Sequence, residues 1–107
     1  MSIEQTSTVD FVSVDQTSND LVLTISDHLA WDEGEGEHLL LLQEKLNAYL
    51  RFIESGEVVE KFPEARGRNL VINVVGKFPL SEQANLFFEK ATAAIQAAGF
   101  TLKFSLF

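Results

Sequence analysis

Apolar residues recur with two different periods along this chain, and the order of the periods limits the folds it can adopt. Segments with an apolar residue at every second position, or with an almost continuous apolar run, predict strands. These segments are residues 9–14, 21–26, 70–75 and 100–106. Between them, residues 37–55 and 81–98 carry apolar side chains every three or four positions, which predicts two helices. The predicted order is ββαβαβ.

This order favours a two-layer sandwich of the α+β or α/β class. The turn formers of residues 15–20 predict an antiparallel hairpin, while each strand–helix–strand unit predicts a parallel pair with a right-handed connection. We therefore expect a four-stranded mixed sheet with both helices on one face. Residues 1–8 are predicted to be a flexible N-terminus, and residues 9–107 one domain, with 57–69 as a connector.

The ends of the second helix carry the clearest local signals. Ser81 suits the N-cap position, and Gly99 suits the left-handed residue that follows a helix. Phe100 would then contact Ile95, as in a Schellman motif. In the same way, Gly56 is placed to end the first helix.

Helices on one face leave the other face of the sheet open. We expect that face to be semi-apolar and to bind a partner or a second copy. Its predicted residues are Val12 or Val14, Val22, Thr24, Val71, Asn73, Val75, Thr101 and Lys103. The first helix is also apolar beyond its main stripe, at Leu40, Leu41 and Phe52, so it should pack on two sides or meet another subunit.

The charge of the chain is unevenly distributed. Residues 1–38 contain nine Asp and Glu and no Lys or Arg, whereas residues 39–107 contain seven acids and eight bases. An acidic half repels phosphate backbones and anionic membranes, which argues against a nucleic-acid partner or a membrane partner. The acidity favours either solubility alone or a basic protein partner.

The absence of cysteine excludes disulfides, thiolate metal sites and a cysteine nucleophile. The N-terminus lacks the basic and apolar regions of a signal peptide, and no apolar run approaches the roughly 20 residues of a membrane span. We therefore expect a cytoplasmic protein.

The stretch SDHLAWDEGEGEHLLLL, residues 26–42, concentrates the polar chemistry of the chain. It follows a predicted strand, and the carboxyl ends of strands are where open α/β sheets bind ligands. The topology places a set of candidate binding residues at this edge. They are Asp27, His28, Trp31, Asp32, Glu33, His38 and Lys77.

Several kinds of site do not fit this stretch. A phosphate-binding loop lacks its third glycine, which is Leu39, and a calcium loop lacks its glycine and its final glutamate. No GxSxG motif is present, so no catalytic residue is assigned. Glu35 and His38, three residues apart on a helix, could bind a metal of unknown identity together with Asp27, His28 or Asp32.

A purely structural interpretation accounts for the same residues. Acids before and within the first turn of a helix offset its dipole, and the two glycines permit a tight entry into the helix. Under this interpretation Trp31 covers the end of the core, His28 bonds within the loop, and His38 is exposed or near the cap.

Three blocks of the sequence resemble a family of small bacterial proteins of unknown function. They are TISDHLAWDEGEGEHLLLLQEKLNAYLRFIESG at 24–56, NLVINVVGKF at 69–78 and AGFTLKF at 98–104. The resemblance covers about residues 9–106 and implies a bacterial, cytoplasmic, single-domain protein, with no catalytic assignment to transfer.

Two functions are consistent with these observations. The first is a non-catalytic interaction module without a cofactor, which forms a homodimer or binds a basic protein, as small acidic immunity proteins do by analogy. The second is a metal-binding or small-molecule-binding protein, with or without enzymatic activity, with its site in the loop from Asp27 to His38.

Overall fold

The computed structural model describes residues 11–32 and 34–106. Its order of elements confirms the predicted ββαβαβ pattern and adds two short helical turns within the connector. The elements are β1 (Phe11–Val14), β2 (Leu21–Asp27), α1 (Glu35–Glu54), α2 (Glu57–Lys61), a 3₁₀ turn (Pro63–Ala65), β3 (Leu70–Gly76), α3 (Glu82–Ala97) and β4 (Thr101–Leu106). The predicted flexible segment 1–8, and positions 9 and 10 of the first predicted strand, lie outside the described residues.

The four strands lie side by side in chain order. β1 is antiparallel to β2, while β2 and β3, and β3 and β4, are parallel. Because both crossovers advance in the same direction across the sheet, right-handed connections place α1 and α3 on the same face. The core lies between that face and the helices, and Leu23, Ile25, Ile72 and Val74 are completely buried in it.

The register of the hairpin corrects one sequence prediction. Val12 lies opposite Leu23 and Val14 opposite Leu21, and directly opposite residues of an antiparallel pair point to the same face. Val12 and Val14 therefore pack against the core on the helix side. The prediction that one of them lies on the open face was wrong, because Phe11 and Ser13 take those positions.

Helix α1 packs on two sides, as its wide apolar surface predicted. One side faces the sheet, where the Tyr49 hydroxyl donates a 2.6 Å hydrogen bond to the Thr24 carbonyl oxygen. On another side Phe52 is buried, and its ring meets that of Phe62 edge to face at a centroid distance of 6.5 Å. Leu40 remains 54% exposed.

The connector becomes helical for local reasons. Gly56 has φ 84°, a conformation that a glycine adopts without steric cost, and α2 begins directly after it. Val58 is buried and holds α2 on the core, and Pro63 occupies the first position of the 3₁₀ turn, where its missing N–H costs nothing. Helical segments of five and three residues are too short to show a recognisable helical period in the sequence.

The turn between β1 and β2 is organised by Asp15. Its carboxylate accepts hydrogen bonds from the backbone N–H groups of Thr17 and Ser18, at 2.8 and 3.2 Å. These two bonds lower the pKa of Asp15 below its ordinary value, and Lys103 adds a smaller effect in the same direction. Because the pKa is lowered, the ionised Asp15 stabilises the turn at pH values above its ordinary pKa. This stabilisation is lost as the pH falls through the lowered pKa of the folded protein.

Both predicted end signals of α3 are confirmed. The Ser81 hydroxyl accepts a hydrogen bond from the Ala84 N–H at 3.1 Å. At the other end Gly99 has φ 95°, its N–H donates to the Gln96 carbonyl, and the Phe100 N–H donates to the Ile95 carbonyl, both at 3.0 Å. This is the bonding pattern of a Schellman motif.

Replacing Ser81 by alanine is expected to lower the free energy of unfolding by about 1 kcal/mol, because the Ala84 N–H loses its acceptor. Urea unfolding followed by circular dichroism measures this loss. Ser81→Asp is the matched control, since aspartate keeps an acceptor at the cap and should stay close to the wild type. Equal losses in both variants would show that the cap is not the cause.

Among the described residues, no helix is long and apolar enough to cross a lipid bilayer.

Candidate functional site

The carboxyl ends of β2 and β3 meet at the edge predicted to hold the site. Asp27 is the last residue of β2 and pairs in register with Gly76, the last residue of β3. The Lys77 N–H donates to the Asp27 carbonyl oxygen at 2.9 Å, which joins the two chain segments beyond the strands. By the alternation of the strand, the Asp27 side chain points to the helix face, where it is only 3% exposed.

Above Asp27 lies the imidazole of His38, which is only 2% exposed. The Nε2 atom of His38 lies between the two carboxylate oxygens of Asp27, at 2.7 Å from Oδ1 and 2.6 Å from Oδ2. Its Nδ1 lies 3.2 Å from the Ala30 carbonyl oxygen. Asp27 Oδ1 also accepts a hydrogen bond from the Leu29 N–H at 3.1 Å. His38 therefore lies near the cap of α1, as expected, but it is buried rather than exposed.

Both ring nitrogens of His38 face oxygen atoms. With Asp27 ionised, both partners can only accept hydrogen bonds, so both nitrogens of His38 serve as donors. The arrangement is satisfied by an imidazolium cation opposite an Asp27 carboxylate, forming a buried ion pair. A cation with both N–H groups engaged has no lone pair to offer a metal or a substrate proton.

Trp31 covers the ion pair. Its indole stacks on the His38 ring with a centroid distance of 3.5 Å and an interplanar angle of 14°, and it is itself buried. The face of an indole attracts a cation, and stacking also shields the pair from water. Trp31 belongs to the core cluster, as predicted, and it also contacts His38 directly.

The way α1 begins explains why this contact is needed. Gly34 precedes the helix in the left-handed conformation, with φ 66°, and as a glycine it has no side chain to cap the helix. The His38 N–H donates to the Gly34 carbonyl oxygen at 2.9 Å in the first helical turn, which holds the imidazole above Asp27. Glu35 and Glu37 in that turn offset the helix dipole. The ion pair therefore anchors the start of α1 to the end of β2.

Three of the other predicted site residues have exposed side chains. His28, Asp32 and Lys77 are exposed, and Glu33 lies outside the described residues. The Lys77 ammonium is placed 5.8 Å from the centre of the Phe78 ring. Of the seven candidates, the structure brings together the side chains of Asp27, Trp31 and His38.

A metal ion finds little support in this arrangement. Within residues 11–32 and 34–106 there is no group of three or more His, Asp or Glu side chains placed to hold a metal. Of the predicted Glu35 and His38 ligand pair, His38 is turned inward onto Asp27. Binding a metal there would first require breaking the ion pair.

Sequence reasoning missed Lys45, which is completely buried on the core side of α1. Its ammonium lies 5.7 Å from the centre of the Tyr49 ring. A signal was present, because Lys45 is three residues after Leu42 and four before Tyr49, within the helical period. His38 lies four residues before Leu42, so the same helical period also places His38 on the core side of α1.

Gly76 fits closely against the neighbouring strand. A Cβ atom at this position would lie 2.6 Å from the Phe104 ring and 3.3 Å from the Phe78 carbonyl oxygen. The Phe104 ring in turn meets Phe88 of α3 edge to face, with centroids 5.7 Å apart. A residue without a side chain lets Phe104 lie over the end of β3.

A family model described as a family of unknown function, DUF6572, matches residues 1–107. The chain belongs to this family. The resemblance seen in the sequence is thereby confirmed at the level of the family. Among curated proteins and solved structures there is no significant match.

Proposed function

We propose that this chain is a non-catalytic protein-interaction module that self-associates or binds a basic protein, and that the open face of its sheet is the binding surface. The observation that carries the proposal is the one-sided arrangement of the layers. The sheet residues facing the core are covered by α1 and α3. On the opposite face Val22, Thr24, Asn73 and Val75 are partly exposed, while Val71 is 6% exposed.

The composition of the open face supports binding to another protein. Val22 and Val71 are partners in adjacent strands, and Val75 lies on the same face nearer the carboxyl edge. Asn73 lies between Val71 and Val75 on β3 and accepts a 3.2 Å hydrogen bond from the Ser105 hydroxyl. Such a mixture of apolar and polar side chains is typical of interfaces between proteins that also exist separately.

The state of the polar loop supports a role without catalysis. A general acid or base must come within hydrogen-bonding distance of its substrate, directly or through a water molecule. Both ring nitrogens of His38 are instead engaged inside the fold, beneath Trp31. The chemistry concentrated in this stretch is used to hold α1 on the sheet.

The charge at the carboxyl edge favours a basic protein as the partner. Glu35 and Glu37 lie in the first turn of α1, and Glu82 lies in the first turn of α3. Both helices begin after strands that end at this edge, where Asp32 is also exposed. Complementary charge of this kind mainly raises the association rate and makes it depend on salt.

Native mass spectrometry of the untagged protein, released gently from the cells that make it, tests the proposal. We expect the mass of a homodimer or of a complex with another protein, without a small adduct. Val75→Lys on the open face should dissociate a complex with another protein, whereas Leu40→Lys on the opposite layer should leave it intact. A monomer alone would contradict the proposal. A subunit with a stoichiometric metal or metabolite would favour the second hypothesis, a site in the loop from Asp27 to His38.

Reversing the charge at Glu35 and Glu37 tests the preference for a basic partner. With the protein found in the complex as the ligand, Glu35→Lys/Glu37→Lys is expected to lower the association rate by about 10-fold or more at low salt. Stopped-flow measurements at several salt concentrations give both the rate and its salt dependence. An unchanged rate would show that the acidic edge does not attract the partner.

A further inference from the structure

The last strand leaves one edge of the sheet free. β4 pairs with β3 along one side, and within the described part of the chain no element pairs with its other side. A groove of about 440 Å³ runs between this free edge and α3. Its apolar lining is formed by Leu80, Phe88, Leu102 and Phe104. Backbone hydrogen-bonding groups and apolar side chains are thus presented together, as at sites where a strand is added to a sheet.

Within residues 11–32 and 34–106, the edge also lacks the usual protection against strand addition. Natural edge strands are commonly very short, interrupted by proline or a bulge, or rich in lysine. β4 has six residues in unbroken register with β3, contains no proline, and carries one charged residue, Lys103. At its end Leu106 is 57% exposed. A regular edge that ends in an exposed leucine is suited to pairing.

We propose that β4 pairs antiparallel with β4 of a second copy, about a two-fold axis perpendicular to the sheet at Phe104, to form an eight-stranded sheet. In this register Phe104 lies opposite Phe104 of the partner subunit. On the same face Leu102 lies opposite Leu106 of the partner subunit, and on the other face Lys103 lies opposite Ser105 of the partner subunit.

The pattern of β4 selects this register. Side chains that lie directly opposite each other share a face, so apolar positions must meet apolar positions. Centring the axis on Lys103 would set two lysines against each other, which is unfavourable. Centring it on Ser105 would leave Leu102 without a partner within β4. The axis at Phe104 pairs all apolar residues of β4 with one another and keeps the lysines apart.

A second copy also fits the groove. Leu106 of the partner subunit comes opposite Leu102, which lines the groove, so each subunit covers the other's exposed leucine and apolar lining. A two-fold interface satisfies both edges at once and closes the assembly at a dimer. This interface goes beyond the proposed open-face binding, because the paired edge and the groove lie outside that face.

Sedimentation equilibrium of the full chain measures the dimer and its dissociation constant. Leu106→Lys places a charge in the contact and is expected to raise the dissociation constant about 100-fold. Leu40→Lys, at a leucine of similar exposure on α1, is the matched control and should leave the constant unchanged. A monomeric wild type, or an equal dissociation constant for Leu106→Lys and wild type, would overturn the proposal. Loss of the dimer in Leu40→Lys alone would assign the contact to α1, while leaving the proposed interaction function intact.

Cysteine cross-linking tests the register independently of Leu106. The natural chain has no cysteine, so each introduced thiol is the only one present. Directly opposite residues have Cα atoms about 4.5–5.5 Å apart, within the range of a disulfide. A mixture of Lys103→Cys and Ser105→Cys subunits should therefore form disulfide-linked heterodimers upon mild oxidation, in excess over either variant alone. A dimer without this preference would overturn the register.

Discussion

Replacing Asp27 by alanine is expected to lower the free energy of unfolding by about 3–5 kcal/mol. The variant leaves the His38 imidazolium buried beneath Trp31 without its carboxylate, which is the most costly way to break a buried ion pair. It also removes the acceptor of the Leu29 N–H. Equilibrium unfolding in urea, followed by circular dichroism, measures the loss.

A double-mutant cycle separates the ion pair from the general cost of truncating buried residues. Asp27→Ala/His38→Ala should lose less stability than the two single variants added together, because either single change already breaks the pair. Asp32→Ala is the control for removing a carboxylate from the same loop, and its effect should stay within about 0.5 kcal/mol, since Asp32 is exposed. Additive losses in the cycle would mean that Asp27 and His38 are not energetically coupled.

Gly76→Ala is expected to lower the free energy of unfolding by about 1–3 kcal/mol, although alanine is usually tolerated in strands better than glycine. The added Cβ would fall 2.6 Å from the Phe104 ring, so the ring would have to leave its place between β3 and Phe88. Thermal unfolding followed by circular dichroism gives the change, and a larger residue such as valine should cost more.

The background variant Phe104→Leu identifies the cause of this loss. Without the phenyl ring the new methyl group has room, so Gly76→Ala should cost clearly less in that background than in the wild type. If the cost were the same in both backgrounds, the Phe104 contact would not be its origin, and the nearby Phe78 carbonyl oxygen would become the candidate.

The sequence was sufficient to predict the fold because its apolar periods are long and clearly separated. Strands β2 to β4 and helices α1 and α3 each cover enough positions for a period to be recognised, and Ser81 and Gly99 mark the ends of α3. The side of β1 that faces the core was not predictable, because Val12 and Val14 alternate with Phe11 and Ser13 in a strand of four residues. The register with β2 decides that question, and register is a property of the pair.

The sequence predicted where the strand ends meet, but not how His38 is placed there. The topology correctly brought the end of β2 to the end of β3, yet the polarity of His38 suggested an exposed residue at a helix start. Its burial depends on a tertiary contact with Asp27, eleven residues earlier, which no local preference encodes. The missed signal was the helical period of α1. His38 and Lys45 are polar, but they fall on the same buried side of α1 as its apolar residues.

The residues at positions 27 and 38 are expected to change together during evolution. Replacing only one of the two residues leaves an unpaired charge in the core. Replacing both by apolar residues of similar volume can be neutral or stabilising. Members of the DUF6572 family are therefore expected to carry either the acid and the histidine together or two apolar residues, and the mixed forms should be rare. Trp31, which stacks on the imidazolium, should be retained where the charged pair is retained and be free to change where it is not.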